Sequence, residues 1–246
     1  MLKRIMVALD GMNTEQANLF LDRLEGSSPS LKIGMEMFYS AGPEFVKNVQ
    51  QKYHSDIFLD LKLHDIPNTV KKAIAALEGL PIKFLTIHLA GGAAMLRAAV
   101  EQARISIPDT SLLGVSYLTS IDQNDFKVLF NYSTQEEIDQ AFQRLFELAF
   151  ETGMDGLILS PKELPLIQEM ESKRGASLLK VCPGIRFEED IKSGETGDQK
   201  RVETPESAFS KGADYLVIGR SLTNAKNLSQ RLEFLGQITK APNASD

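Results

Sequence analysis

The sequence predicts a single (β/α)8 barrel, and two observations carry that prediction. Eight short apolar runs recur along the 246 residues, and longer stretches with helical periodicity separate them. Eight strand–helix units in about 250 residues match the count and size of such a barrel, whereas a doubly wound sheet of that length usually has fewer strands. With 43% hydrophobic residues the chain can bury a full core, which makes disorder a poor interpretation.

The predicted strands share one pattern: each is a short run rich in Val, Ile, Leu or Phe, and most close on a polar residue or glycine. In chain order they span residues 5–10, 31–35, 56–62, 84–88, 112–118, 156–160, 178–184 and 215–220. Because catalytic groups of such barrels lie at the carboxyl ends of the strands, the polar residues that close these runs are the first candidates for a site.

The clearest helix signal follows the fifth run. Ser133 and Thr134, with Glu136 and Glu137 behind them, form a capping-box pattern that opens a helix. The apolar residues that follow fall on one face of that helix, which predicts packing against the barrel rather than a functional surface. They are Ile138, Phe142, Leu145, Phe146 and Ala149.

The ends of the chain carry no targeting or anchoring signal. Lys3 and Arg4 precede an apolar run, but Asp10 interrupts it at a length too short for a signal-peptide core or a membrane span. We therefore expect a cytoplasmic protein without membrane contact. No linker, repeat or low-complexity tract appears, so residues 1–246 are predicted to form one domain with a frayed tail from about Lys240.

Composition excludes several classes of function. The single cysteine, Cys182, and three scattered histidines, His54, His64 and His88, cannot supply the clustered ligands of a zinc or iron–sulfur site. The net charge of −6 disfavours a nucleic-acid surface, which needs clustered Lys and Arg. Common dinucleotide, nucleotide and metal motifs are absent as well. We therefore expect neither a metal, nor an organic cofactor, nor a nucleic-acid partner.

Charged residues lie where the predicted strands end: Asp10, Lys32, Asp60 and Lys62. Alternation along the third strand directs Phe58, Asp60 and Lys62 into the barrel, and Ile57, Leu59 and Leu61 toward the helices. Asp10 taken alone could equally be a turn or cap residue. An Asp–Lys pair can be purely structural, but desolvating two ions costs several kcal/mol each, which favours a functional pair.

Asp65 does not fit this alternation, so the chain must turn at residues 64–67 before this carboxylate can join a site. It could equally serve a neighbouring subunit. Asn68 and Thr69 follow Pro67 and are candidate caps of the next helix.

A second signal indicates anion binding. PGIR (183–186) ends the seventh strand and IGRS (218–221) ends the eighth, and these two loops most often grip phosphate in barrels of this type. Gly219 allows close backbone approach, Arg220 offers a charged fork, and the following helix would present its N-terminus.

The polar stretch 187–199 between these loops is interpreted as a mobile lid, with a plain solvated loop as the alternative. It carries five acidic residues against one lysine. Any contact with phosphate must therefore come from backbone N–H groups or from Gln199.

Residues 60–69, DLKLHDIPNT, resemble the signature segment of the orotidine 5'-phosphate decarboxylase family. The similarity continues through VALD, LKIGMEMF, AGP, YLTS, PGIR, GDQKR and VIGRS, essentially from end to end. The resemblance implies decarboxylation of orotidine 5'-monophosphate to uridine 5'-monophosphate by a homodimer that uses no metal or cofactor.

The resemblance also implies a role for each matching residue. Asp10 and Lys32 would bind the ribose hydroxyls. Lys32, Asp60, Lys62 and Asp65 would form an alternating charge array, with Lys62 as the acid and Asp65 reaching the partner's site. The remaining implied substrate contacts are Leu61, Leu63, His64, Ile66, Pro67, Asn68 and Thr69 in the signature, Thr119 at the pyrimidine, and Arg186, Gln199, Gly219 and Arg220 at the phosphate.

One segment departs from the family pattern. Between PGIR and GDQ bacterial-type members are usually a little shorter, so the role of Gln199 assumes a small insertion in the lid.

Two alternatives remain at this point. A 3-keto-L-gulonate 6-phosphate decarboxylase shares an Asp-x-Lys-x-x-Asp pattern but uses magnesium, and a non-catalytic nucleotide-binding barrel would need no charge array. HDIPNT and YLTS favour the pyrimidine substrate over the first, and the intact array argues against the second.

Overall fold

The computed structural model describes residues 2–24, 26–192 and 202–239. Strands and helices alternate along these residues. The strands are β1 (Ile5–Ala8), β2 (Ser30–Gly34), β3 (Ile57–Leu63), β4 (Phe84–His88), β5 (Ser111–Val115), β6 (Gly156–Ile158), β7 (Leu179–Cys182) and β8 (Tyr215–Ile218). The α-helices are α1 (Thr14–Asp22), α2 (Met35–Tyr53), α3 (Pro67–Ala75), α4 (Gly92–Ser106), α5 (Gln123–Phe130), α6 (Gln135–Thr152), α7 (Leu164–Arg174), α8 (Glu188–Lys192), α9 (Pro205–Ser210), α10 (Arg220–Thr223) and α11 (Leu228–Ile238).

The eight strands form a closed, all-parallel barrel in sequence order. Closure is completed by pairing of β1 with β8, where Ile5 lies opposite Leu216. Parallel neighbours require crossover connections, and the helices between the strands supply them. The predicted (β/α)8 fold is confirmed. Residues 193–199 of the predicted lid and the predicted tail from Lys240 lie outside the described residues.

Side chains of the strands alternate between two cores. The outer core packs between the sheet and the helices and includes Ile57, Leu59 and Leu61. The inner core fills the barrel and consists of Met6, Ala8, Phe58, Phe84, Leu113, Val181 and Val217. This inner layer makes the barrel interior a packed core rather than a pore. The alternation predicted for β3 is therefore observed up to Leu61.

Helix α6 begins as the sequence predicts. Thr134 is the N-cap and its hydroxyl accepts from the Glu137 amide at 3.2 Å, while the Glu137 carboxylate accepts from the Thr134 amide at 2.9 Å. The predicted apolar face is confirmed, because Ile138, Phe142 and Phe146 are buried in the outer core.

Helix α3 begins differently from the prediction. Its N-cap is Ile66 and Pro67 is the first helical residue, so Asn68 and Thr69 lie inside the first turn and do not cap it. Proline suits this position because its ring fixes a helical φ and its missing N–H would have had no partner there. The turn predicted between residues 64 and 67 is present.

Within the described ranges, no helix combines the length and the apolar character that crossing a membrane requires.

Candidate active site

A cavity of about 520 Å³ opens at the carboxyl ends of the strands. Eight of the residues predicted from the sequence line it: Asp10, Lys32, Asp60, Lys62, Thr119, Arg186, Gly219 and Arg220. Another cavity, about 550 Å³, lies against α5, α6 and α7 outside the barrel mouth. The cavity at the carboxyl ends of the strands is the candidate active site, because two lysines and two aspartates line it together with two arginines.

A chain of alternating charges crosses one wall of this cavity. Lys32 Nζ lies 2.8 Å from Asp10 Oδ2 and 3.2 Å from Asp60 Oδ2, and Lys62 Nζ lies 2.7 Å from the same Asp60 oxygen. Lys32 and Asp60 are buried, each 7% exposed, while the Lys62 side chain is 28% exposed and faces the cavity. The chain of charges therefore begins at the exposed Asp10 and ends at the partly exposed ammonium group of Lys62.

Opposing effects set the ionisation of the two buried members. Burial alone would raise the pKa of Asp60, but the charges of Lys32 and Lys62 outweigh it and hold that pKa below its usual range. Burial alone would lower the pKa of Lys32, but the charges of Asp60 and Asp10 raise it above its usual value. Both groups are therefore ionised at neutral pH, which fixes the alternation of charge.

The backbone at Lys62 departs from regular strand geometry. Its φ of +47° lies in the left-handed region, which non-glycine residues rarely adopt. The register between β3 and β4 shifts between Leu59 and Leu63, which marks a bulge at this point. The irregularity lies at Lys62, the residue predicted to be the acid. Strained backbone conformations of this kind cluster at active sites.

Thr86 of β4 supports this irregular segment, and the sequence interpretation missed it. Its hydroxyl donates to Asp60 Oδ1 at 2.9 Å and accepts from the Lys62 amide at 2.8 Å. The signal was available, because alternation along FLTIH directs Thr86 inward between Phe84 and His88. A polar residue that faces inward from the middle of a barrel strand is therefore a candidate site residue, like the residues at the strand ends.

Gly34 at the end of β2 leaves room for the outer ion pair. A Cβ at this position would lie 2.4 Å from Asp10 Oδ1 and 3.3 Å from Lys32 Nζ. A side chain here would move the Asp10 carboxylate from its present position, so Gly34 leaves it the room in which it pairs with Lys32. Sequence alone did not indicate this role.

Two histidines lie beside the charge chain. The rings of His64 and His88 are 5.2 Å apart between centroids. Burial lowers the pKa of His88, and His64 and the Lys62 ammonium lower it further. His88 is therefore neutral near pH 7 and adds no positive charge next to Lys62.

The opposite side of the cavity is built from the loops after β7 and β8. It contains Pro183, Arg186, Gly219 and Arg220. Arg186 is 4% exposed and its Nη1 donates to the Ile185 carbonyl at 2.8 Å. The helix after β8, α10, has only four residues, so the expected contribution of a helix N-terminus is at most that of a single turn.

A buried arginine ties these two loops together. Arg231 of α11 forms ion pairs with Glu189 and Asp190 of α8, with 2.7 Å and 2.6 Å between charged atoms. Its guanidinium also donates to the Ser221 carbonyl and lies over the Phe187 ring. The contact fixes the segment after β7 against the segment after β8, and Arg220 lies at the start of the latter.

The other predicted residues that the structure describes do not line the cavity of their own chain. Leu61 and Leu63 pack in the outer core, because they project toward the helices. Residues 64–69 are all exposed, and the Asp65 carboxylate accepts from the Ile66 amide at 2.7 Å. Gln199 lies outside the described residues.

A profile of the orotidine 5'-phosphate decarboxylase / HUMPS family matches residues 3–234. The chain belongs to this family. Family membership covers the whole barrel, including every described residue of the cavity wall.

Relatives within the family are similar over nearly their whole length. The orotidine 5'-phosphate decarboxylase of Staphylococcus haemolyticus is 40% identical over 222 residues, which is 90% of this chain and 92% of that protein. The Oenococcus oeni protein of the same name is 40% identical over 224 residues, with 91% and 92% covered. Because these stretches extend through nearly the whole barrel, the likeness is not confined to the signature segment.

Solved structures agree with the family assignment. The orotidine 5'-phosphate decarboxylase of Lactobacillus acidophilus superposes with a TM-score of 0.78 at 32% identity, covering 97% of this chain and 100% of that one. An uncharacterized conserved protein from Geobacillus kaustophilus gives a TM-score of 0.76 at 31% identity, with 95% and 99% covered.

The family description includes more than one kind of enzyme. The side chains that line the cavity indicate which chemistry this chain can support. Among the described residues, no group of three or more His, Cys, Asp or Glu side chains is placed to hold a metal ion. Asp60 Oδ2 already accepts from two ammonium groups, which would repel a divalent cation. The charge chain is thus suited to electrostatic and proton-transfer chemistry.

Proposed function

We propose that this family member is an orotidine 5'-phosphate decarboxylase, a carboxy-lyase that converts orotidine 5'-monophosphate to uridine 5'-monophosphate and CO2 in pyrimidine biosynthesis. The observation that carries the proposal is the Lys62–Asp60 ion pair of 2.7 Å, held at the cavity wall and backed by buried Lys32. The two close relatives named above carry the same activity in their names. We further expect the enzyme to act in the cytoplasm.

The proposed reaction begins with cleavage of the bond between C6 of the pyrimidine and its carboxylate. The bonding electron pair stays on C6 as CO2 departs, and no neighbouring carbonyl delocalises that carbanion. The Lys62 ammonium, with its positive charge beside C6, stabilises the developing negative charge and then donates its proton to C6. Asp60 orients this ammonium and crowds the departing carboxylate.

The remote parts of the nucleotide supply binding energy. We propose that Asp10 and Lys32 contact the ribose hydroxyls and that Thr119 lies against the pyrimidine. Arg186, Gly219 and Arg220 would hold the 5'-phosphate, with Gln199 as a further contact. Such contacts far from C6 contribute to catalysis when their energy is used to position the reacting group.

We propose that the enzyme is a homodimer in which Asp65 completes the partner's site. Asp65 is exposed and does not line its own cavity. Exposed apolar side chains follow the adjacent strands β2 and β3 at the carboxyl end of the barrel: Ile66, next to Asp65 in sequence, is 67% exposed, and Met35 and Tyr39 of α2 are 43% and 71% exposed. Exposed apolar side chains at the same end of the barrel as this carboxylate suit burial against a second copy.

The direct test of the activity is the loss of orotidine 5'-monophosphate absorbance in the presence of the purified enzyme. Turnover should persist unchanged after extensive treatment with a chelator. A magnesium-dependent sugar-phosphate decarboxylase would show no turnover of this nucleotide, and a non-catalytic barrel would bind uridine 5'-monophosphate without any absorbance change.

Replacing Lys62 with alanine should abolish decarboxylation while the affinity for uridine 5'-monophosphate stays within roughly tenfold of wild type, because the ammonium acts on the reacting atoms. Single-turnover absorbance and calorimetric titration measure the two quantities. Lys83→Ala, at the exposed amino end of β4, is the matched control and should be fully active. Substantial turnover by the Lys62 variant would remove this residue from its role.

Replacing Arg220 with alanine should weaken nucleotide binding by on the order of 1.5–3 kcal/mol, because a charge-assisted contact to the phosphate is lost. Free guanidinium should restore part of the activity. Arg23→Ala, exposed at the opposite end of the barrel, serves as control. If the Arg220 variant matches wild type without guanidinium, the phosphate lies elsewhere.

A shared site predicts complementation between two inactive variants. Lys62→Ala and Asp65→Ala homodimers should each be severely impaired. In a mixed dimer, one site carries both changes while the other carries neither. Random re-pairing makes half the dimers mixed and half of their sites intact, so activity should recover to about one quarter of wild type.

This experiment dissociates the two variants by dilution or mild denaturant, re-associates them together and assays the mixture. Mass spectrometry verifies that mixed dimers form. Activity that stays at the level of the separate variants, despite mixed dimers, would mean that Asp65 acts within its own chain.

A further inference from the structure

Thr86 occupies a position between the two groups that the proposed reaction uses. It belongs to β4, is completely buried, and does not line the cavity. It therefore cannot contact the substrate. Its hydroxyl nevertheless contacts both Asp60 and Lys62, the former through the side chain and the latter through the backbone.

The direction of both hydrogen bonds follows from chemistry. An ionised carboxylate only accepts, so the hydroxyl proton of Thr86 must point to Asp60 Oδ1, 2.9 Å away. A backbone amide only donates, so the Lys62 N–H must point to a lone pair of the same hydroxyl, 2.8 Å away. A hydroxyl has one proton to donate, and here that proton is committed to Asp60.

These contacts divide the two oxygens of Asp60 between different partners. Oδ1 accepts from Thr86, while Oδ2 accepts from Lys32 at 3.2 Å and from Lys62 at 2.7 Å. Tilting the carboxylate out of its present plane would lengthen all three contacts. Thr86 thus fixes the orientation in which the carboxylate faces the two ammonium groups.

The hydrogen bond from the Lys62 amide to the Thr86 hydroxyl stabilises the unusual backbone conformation of Lys62. A φ of +47° at a non-glycine residue is costly and persists only where the surroundings determine it. The bulge removes the Lys62 amide from the regular ladder between β3 and β4, and the Thr86 hydroxyl accepts from it instead. The side chain of Lys62 leaves the strand in the direction that this backbone conformation sets.

We infer that Thr86 is a positioning residue of the active site, whose hydroxyl holds the Lys62 backbone in its left-handed conformation and the Asp60 carboxylate in its orientation. This inference rests on the proposed decarboxylase function. The residue acts through Lys62 and Asp60, so its loss should affect the chemical step and spare nucleotide binding.

Thr86→Val keeps the shape of the side chain and removes only the hydroxyl. We expect kcat to fall on the order of 10- to 100-fold, because misplacing a catalytic group by up to about 1 Å can cost as much as roughly 100-fold. KM and the dissociation constant of uridine 5'-monophosphate should stay within about threefold. Thr86→Ser, which restores the hydroxyl, should recover most of kcat.

Thr110→Val provides the matched control. Thr110 is also a buried threonine next to the barrel, 3% exposed, and its hydroxyl donates to the Ile82 carbonyl at 2.9 Å, far from the cavity. Its loss should lower thermal stability and leave kcat unchanged. Thr86→Ala is made in parallel, so that a failure of the valine variant to fold still leaves a folded variant without the hydroxyl.

Hydrogen exchange of the Lys62 amide tests this inference without depending on turnover, and so without depending on the proposed function. The Lys62 amide should exchange with solvent slowly in wild type and in Thr86→Ser, and faster in Thr86→Val. If wild type does not decarboxylate orotidine 5'-monophosphate, the proposed function fails, and amide exchange alone then decides whether Thr86 holds the Lys62 backbone.

Three results would overturn the inference in an active enzyme: wild-type kcat in Thr86→Val, equal loss in Thr86→Val and Thr86→Ser, or equal loss in Thr86→Val and Thr110→Val. The second would show that the hydroxyl alone does not sustain the chemical step, and the third would assign the effect to general destabilisation.

Discussion

The Asp60 carboxylate is the group on which the rest of the site depends. It is buried, yet Lys32, Lys62 and Thr86 all donate to it, and the two ammonium charges keep it ionised. Removing either ammonium partner from such a buried cluster leaves part of the carboxylate charge without compensation, at a cost of roughly 3–5 kcal/mol. The barrel meets this requirement by bringing three strands, β2, β3 and β4, side by side.

In the closed barrel, the side chains that form the inner core are different from most of those that line the cavity. The packed inner layer around Phe58 and Phe84 lies below the charge chain, while the loops after β7 and β8 rise above it on the other side. Arg231 of α11 joins those loops by pairing with Glu189 and Asp190 after β7 and donating to the Ser221 carbonyl after β8. The loops on the arginine side of the cavity are therefore held to each other. The two halves of the cavity therefore suit the two ends of a phosphorylated nucleotide, a reacting base at one end and a phosphate at the other.

The alternation of apolar runs with helical stretches predicted the eight strands, and the period-two pattern of β3 predicted that Asp60 points inward. The capping-box motif predicted the start of α6. Geometry that depends on contacts distant in sequence could not be read in this way. The left-handed φ of Lys62 requires the Thr86 hydroxyl from the next strand, and the role of Gly34 appears only when Asp10 is placed against it. The predicted cap of α3 was wrong: Asn68 and Thr69 have the side chains of capping residues, but the fixed φ of Pro67 makes it the first helical residue.

The central claim, an ionised Asp60 between two ammonium groups, is tested most directly by carbon-13 NMR of protein labelled at aspartate Cγ, with the Asp60 signal assigned by its absence in Asp60→Asn. Lys32 and Lys62 hold the pKa of Asp60 below its usual range. The midpoint of its titration should therefore lie below about 3.9, the ordinary value for aspartate. A titration midpoint at or above that value would show that Asp60 takes up a proton as readily as a solvent-exposed aspartate, and would contradict the account.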